Sequence, residues 1–347
     1  MQARLIRRAN ELDGLAPAWW ALWRKCPNST PFQSPGWLLP WWQTFAPGEL
    51  LSVAVISEDR LLALAALYIE AATARLLPLG TGISDYVDVL IDPDFQSRAG
   101  DALLRALSAH ADWRSIDFNE LMPGASALAL CGFSEARMRD EPSSACPVLD
   151  LAAAPDGRAP RLPARKQEHL ALARNRAMRK GPVEFISMDE VAPGALFAAL
   201  VELHRARWQK RNEPGVLSDP RVIAFHRAAI PRLNAEGVVR LHALRIADKL
   251  AAVYYGFVDR GRAYDYLTGF DPALSFESPG TLLLGHVIAE SWRVGAREFH
   301  FLRGAEKYKY TWGAVDRFNR RRIFERDPTP VRRRVRKGVH AGKVCAS

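Results

Sequence analysis

Apolar and polar positions along the chain fall into two runs with the same order. Residues 51–56 form a strand-like apolar run, Glu58-Asp59-Arg60 a charged tight turn, and residues 61–69 a second, more apolar strand. Residues 239–246, the turn Ala247-Asp248-Lys249 and residues 250–258 repeat that grammar, with Asp59 matching Asp248. The first run continues through strand-like 74–79 and 87–91, a turn at Asp92-Pro93, a periodic helix over 99–110 and a strand over 115–118. The second continues through 263–267, a turn at Asp271-Pro272, a helix over 281–294 stopped at Gly295, and a strand over 298–302. Strand, strand, strand, helix, strand therefore occurs twice, about 185 residues apart. The pattern predicts a mixed, α+β fold in two similar units.

Between the runs, residues 152–163 are rich in Ala and Pro and read as a linker. Residues 164–180 are good helix formers ended by Gly181-Pro182, and a strand over 183–186 and helices over 195–210 and 220–235 follow. The expected division is 1–155 for a first domain, 156–181 for linker and basic helix, 182–326 for a second domain, and 327–347 for a basic, disordered tail. Six of the ten tryptophans lie in the first 42 residues, where they are expected to pack a helix onto the first domain.

Composition changes the picture through charge. The chain has 347 residues and a formal net charge of +10, which first suggests a nucleic-acid binder. Residues 320–347 carry a net +8 and residues 161–181 a net +6, which leaves −4 for the rest. The excess marks two short segments rather than a broad basic face. The tail is expected to meet an anionic membrane, and nucleic acid is not expected unless as tRNA. No apolar start resembles a secretory signal, and Cys26, Cys131, Cys146 and Cys345 form no CxxC pair. A reduced, cytoplasmic setting without metal is expected.

The sequence has no HExxH, Walker A, GxSxG or complete GxGxxG. Two segments carry candidate chemistry. Ser278-Pro279-Gly280-Thr281 opens a helix, with Ser278 as expected N-cap, and amides at a helix start attract phosphate. Residues 301–313 hold Arg303, Glu306, Tyr308, Lys309 and Trp312 directly after a predicted strand. Tyr308 or Tyr310 could serve as general acid there, and Glu306 could orient or deprotonate an amine.

Several segments together resemble a known group. They are Pro31-Phe32-Gln33-Ser34-Pro35 with Trp37, Leu79-Gly80 with Ser84-Asp85-Tyr86-Val87-Asp88, and Leu203-His204 with Arg207-Trp208. Gly269-Phe270-Asp271-Pro272, Ser278-Pro279-Gly280, and Gly304-Ala305-Glu306-Lys307-Tyr308-Lys309 with Trp312-Gly313 complete the set. Between about residues 30 and 324 the chain resembles the CelD/BcsL-like acetyltransferases of the GNAT superfamily, relatives of the Fem-type aminoacyl transferases.

The resemblance implies two tandem GNAT-like domains, each a mostly antiparallel sheet flanked by helices, with the degeneracy of the first left open. It implies an N-acyltransferase that moves an acetyl or acyl group from acetyl-CoA or another acyl-CoA to an amine of a sugar or cell-envelope precursor, in polysaccharide biosynthesis. Catalysis would fall to Glu306, Tyr308 and Lys309. The co-substrate would meet Leu267, Thr268, Gly269, Ser278, Gly280 and Thr281. The acceptor would meet Asp85, Tyr86, Arg207, Trp208, Tyr266 and Arg303. Acetyl-CoA-binding relatives usually show Arg/Gln-x-x-Gly-x-Gly/Ala at the phosphate loop, whereas here Glu277 takes the first position and Leu282 the last. That departure opens two alternatives: a Fem-like transferase using aminoacyl-tRNA, and a non-catalytic GNAT pair that only binds.

Overall fold

The structure is a computed structural model that describes residues 1–110, 112–133, 136–152 and 160–326. The expected tail and most of the linker lie outside the described residues. The chain opens with β1 (Gln2–Ile6), α1 (Ala9–Gly14), α2 (Ala16–Lys25) and α3 (Pro35–Phe45). There follow β2 (Glu49–Leu50), β3 (Ser52–Ser57), β4 (Arg60–Ala65), β5 (Leu67–Glu70), β6 (Arg75–Pro78), β7 (Leu90–Ile91), α4 (Gln96–Ser108), β8 (Ser115–Leu121) and β9 (Ala136–Asp150). The second half begins with α5 (Ala164–Met178), β10 (Val183–Ser187), α6 (Pro193–Gln209), α7 (Pro220–Asn234), β11 (Val239–Ile246), β12 (Lys249–Asp259) and β13 (Arg262–Phe270). It ends with α8 (Pro279–Arg293), β14 (Glu298–His300), α9 (Lys307–Tyr310) and β15 (Val315–Arg326).

The repeated grammar is visible in the pairing. In each half one parallel strand pair flanks a helix: β6 and β8 around α4, and β13 and β14 around α8. The other strand pairs are antiparallel among the described residues. The apolar run 61–69 is not one strand. It breaks at Ala66, so that β4 pairs with β3 and β7 while β5 pairs with β6 and β2. At the break the Ser52 hydroxyl donates to the Leu67 carbonyl at 3.1 Å, beside the Leu51 amide, and accepts from the Leu67 amide at 3.0 Å.

Two sheets result among the described residues. One has the order β1-β3-β4-β7 and the other runs β10-β11-β12-β13-β14-β9-β15-β8-β6-β5-β2 through both halves. Its central strands correct the sequence reading. Residues 315–326 follow the second unit in sequence, yet β15 lies between β9 and β8 of the first. β9 in turn pairs with β14. Neither β9 nor β15 has clean alternation, because their outer positions carry charges that pair across the ladder. Arg322 sets Nε and Nη2 on Asp140 at 2.7 Å each, and Arg321 meets Asp117 at 2.6–2.8 Å. Part of the positive charge credited to the tail is therefore structural.

The seam between the halves is aromatic. Phe32 lies within about 6 Å of Tyr86, Phe257, Tyr264 and Tyr266, and Trp37 stacks edgewise on Phe225 at 4.7 Å. The Trp37 indole donates to Ser84 Oγ at 2.9 Å, and the Gln33 amide donates to the Tyr86 carbonyl at 2.9 Å. The motif around residues 31–37 thus fixes the segment that carries Asp85.

Candidate active site

Strands β13 and β14 run side by side for only three residues, from Arg262↔Glu298 to Tyr264↔His300. β14 then ends, and the chain turns away through Leu302 (φ 60°) and Gly304 (φ 106°). β13 continues to Phe270 with a bulge at Tyr266, since Gly256 pairs with Asp265 while Tyr255 pairs with Leu267. Residues 265–270 therefore keep one edge without a strand partner among the described residues. A bare strand edge beside a loop of positive-φ residues is a ready place for a backbone-binding ligand.

One ammonium ion shapes the loop. Lys309 is buried, and its Nζ donates to the carbonyls of Leu302, Arg303 and Gly304 at 3.3, 2.7 and 3.0 Å. It also pairs with Glu306 at 2.9 Å. Its donors are thus committed, and Lys309 acts on the loop rather than on a ligand. Glu306 keeps 58% of its side-chain surface.

A second set of contacts joins the loop to the first half. The Arg303 amide and Nε both donate to Asp85 Oδ1, at 3.3 and 2.9 Å. Burial raises the Asp85 carboxyl above its usual value, against the pull of Arg303. Glu120, in the left-handed region at φ 52°, accepts from Ser143, Ser144 and Asn319 and lies 3.9 Å from Arg303. Beside this, the Tyr86 hydroxyl meets His300 Nδ1 at 3.0 Å, and His300 Nε2 meets Glu298 at 3.0 Å. Arg317 closes that chain by donating to Glu298 at 2.6 Å.

The group that the sequence reading missed is Asp265. It is 9% exposed on β13, and burial raises its carboxyl to about 7, opposed by Lys309 and assisted by Glu306. A hydrogen bond with Thr268 lowers it. The Tyr308 hydroxyl lies in the same field. Burial raises it first, then Asp265 and Glu306, so it stays protonated through the neutral range. Tyr308 is nonetheless 48% exposed as a whole residue, so solvent screens part of this effect. No spacing marks this carboxyl in a strand that also holds Arg262 and Thr268, and its cost follows from burial alone.

The remaining expected residues fall in three places. Leu267, Thr268 and Gly269 lie on β13 opposite Tyr255, Tyr254 and Val253. Gly269 is needed for packing: a Cβ there would lie 2.9 Å from the His204 amide nitrogen of α6. Arg207 donates to the Thr268 carbonyl at 3.4 Å and lies over Phe270 at 4.7 Å. Its Nε and the indole nitrogen of Trp208 have no hydrogen-bond partner among the described residues. Tyr86 is 2% exposed, and the Tyr266 hydroxyl donates to the Ile83 carbonyl at 3.2 Å, so both are engaged within the protein.

Ser278, Gly280 and Thr281 open α8 as expected, but Ser278 is no side-chain cap. It sits at φ 53°, ψ 52°, and its carbonyl, not its hydroxyl, takes the amides of Thr281 and Leu282 at 3.0 and 3.1 Å. Gly280 faces Phe270, whose ring a Cβ would meet at 3.3 Å. Glu277 is buried with its carboxylate 3.7 Å from Lys180 Nζ, so the charge that departs from the acetyl-CoA pattern is offset by α5's end. No group of His, Cys, Asp and Glu suited to a metal occurs among the described residues, and no helix there is long and apolar enough to cross a membrane.

The fold has counterparts among known proteins. FemX shares the fold with a TM-score of 0.65 at 11% identity, over 93% of this chain and 97% of that one. The C-terminal domain of a proposed lysylphosphatidylglycerol synthetase from Agrobacterium fabrum aligns with a TM-score of 0.57 at 13% identity, over 90% and 91%. L-PGS from Bacillus licheniformis aligns with a TM-score of 0.57 at 12% identity, over 91% and 93%. No curated protein matches by sequence. The family model for an acetyltransferase (GNAT) domain matches residues 164–310. The chain is of mixed α/β structure with largely antiparallel sheets, and its match to the acetyltransferase (GNAT) domain model lies in the second half.

Proposed function

We propose that the protein is a GNAT-type N-acyltransferase that moves an acyl group from acyl-CoA to an amine of a sugar or cell-envelope precursor. The observation that carries this reading is the buried Asp265, poised near neutrality at the bulge where β13 loses its partner strand. A general base works best when its pKa lies near the working pH. The residues present fit a thioester donor: an unpaired β13 edge over 265–270, unpartnered donors on Arg207 and Trp208, and the start of α8 with Glu277 neutralised by Lys180. The bound thioester supplies an electrophilic carbonyl and a thiolate leaving group. Asp265 takes the proton lost by the amine as the C–N bond forms. Tyr308, held protonated, supplies the proton that the departing sulfur accepts when the C–S bond breaks. Lys309 keeps the loop in place, and Asp85 with Arg303 positions the acceptor across the seam.

A second reading, transfer from aminoacyl-tRNA, is favoured by the fold shared with FemX over nearly the whole chain. It uses the same base and loop with a different donor. Calorimetric titration of the purified protein with acetyl-CoA separates the two. Saturable binding that survives the change Asp265→Asn, with loss of acyl transfer in that variant, supports the CoA reading. Absence of binding at millimolar acetyl-CoA, with retention of charged tRNA, overturns it.

A further inference from the structure

Helix α5 opens the matched region and, apart from Lys180 just past its end, takes no part in the site above, yet it packs closely on its neighbours. Gly285 of α8 lies so close that a Cβ there would sit 2.8 Å from Leu170. At its other end Arg176 lies over the Phe276 ring at 4.3 Å and donates to the Phe276 carbonyl at 3.3 Å. The inner face is Lys166, Ala173 and Ala177. The outer face is mainly cationic and apolar, with one exposed acid, Glu168, three positions after Arg165. Arg165, Leu172, Arg176 and Arg179 recur at intervals of three, four and seven, so they share one side of the helix. Arg165, Arg174 and Arg179 are exposed, and none has an acidic partner among the described residues.

Four exposed apolar side chains border those arginines. Leu172 lies on the face itself, Phe276 flanks one side through Arg176, and Met178 and Phe185 lie on the other. Phe276 is 65% and Met178 57% exposed. The second side opens into a groove of about 730 Å³ between α5, β10 and α8, lined by Leu170, Met178, Phe185 and Leu282 with Arg174 at its edge. Unpaired cations beside exposed apolar side chains match the boundary between lipid headgroups and acyl chains. A phosphate backbone alone would be served by the arginines and would leave Phe276 and Met178 without a role. The remainder of the sequence outside the two basic segments is net negative, so an anionic surface attracts those segments, one of which is residues 161–181 with α5.

We infer that the outer face of α5, with Phe276 and Met178, docks the protein on an anionic membrane surface. The test is co-sedimentation of the full chain with vesicles of phosphatidylcholine alone and of phosphatidylcholine with phosphatidylglycerol. Binding to the anionic vesicles that falls with salt is expected. The variant R165Q/R174Q/R179Q should bind about a hundredfold more weakly, from roughly fivefold per arginine at an anionic leaflet. The variant M178S/F276S should bind about tenfold more weakly at unchanged salt dependence. All three arginines are exposed and unpaired, so an unchanged melting temperature shows that these variants fold. The control R332Q/R333Q/R334Q separates the tail from the helix. Equal binding to both vesicle types, or wild-type binding by the α5 variants, overturns the inference. Arginine-dependent retention of tRNA with no vesicle binding overturns it in favour of nucleic acid.

Discussion

Arg303 Nε lies 2.9 Å from Asp85 Oδ1, joining residues 218 positions apart across the seam of the two halves. Asp85 keeps 15% of its side-chain surface and Arg303 32%, so removing one partner strands the other in a poorly solvated place. Arg303→Gln is expected to cost about 2–3 kcal/mol in chemical denaturation. The double variant with Asp85→Asn should be less costly than the sum, with a coupling of about 1–2 kcal/mol. Strict additivity would show that the two groups do not interact in solution.

Asp265 should oppose stability and activity to each other. Its folded carboxyl near 7 lies above the usual carboxylate value. Between about pH 4 and 7 the folded state therefore holds a proton that the unfolded state has lost. Its contribution is most favourable below about pH 4, declines as pH rises toward 7, and is fully lost above that. Asp265→Asn is expected to raise stability at pH 8 by about 2–4 kcal/mol and to lower acyl transfer about a thousandfold. In the wild type one rising limb of kcat/KM should have a midpoint near 7, and it should be missing in the variant. Melting curves and rate profiles across pH measure both. A variant that is less stable at pH 8 would count against a raised carboxyl.

Lys309 is expected to matter through the loop. Lys309→Met leaves the carbonyls of Leu302, Arg303 and Gly304 without their donor, at a cost of about 2–4 kcal/mol. Hydrogen exchange over residues 301–306 should accelerate while that of β11 and β12 stays at wild-type rates. Unchanged exchange in the loop would assign the ammonium another task.

Gly269→Ala places a methyl group 2.9 Å from the His204 amide nitrogen and 3.1 Å from the Leu200 carbonyl. Both are helix backbone and cannot swing aside, so α6 must move off β13. A loss of about 1–3 kcal/mol is expected, together with weaker binding of whatever ligand Arg207 and Thr268 hold. A fully stable Gly269→Ala would show that α6 packs less closely.

Much of the local order was legible in the sequence. The hairpins at Asp59 and Asp248, the helices α4, α6, α7 and α8, and the stop at Gly295 (φ 90°) follow from periodicity and turn chemistry. The segment Gly304 to Lys309 is legible as a site because polar and aromatic residues seldom crowd a strand end without reason. Its chemistry was divided differently by the fold. Lys309 proved to be the loop's internal cation, and Ser278 caps nothing with its side chain.

Asp265 is not legible in the sequence, because one buried acid in a strand has no spacing to reveal it. Strands β9 and β15 escaped for a related reason. Their apolar alternation is interrupted by charges that only Asp117, Asp140 and the facing strand make affordable. Sequence by itself determined the local elements, their doubled order and the stretch where chemistry concentrates, because helix period, turn residues and caps act within a few positions. Tertiary structure alone decided that the last strand returns to the first half, that Asp85 meets Arg303, and that Asp265 is desolvated. Those outcomes depend on burial and on pairing between residues far apart in the chain, which no local pattern encodes.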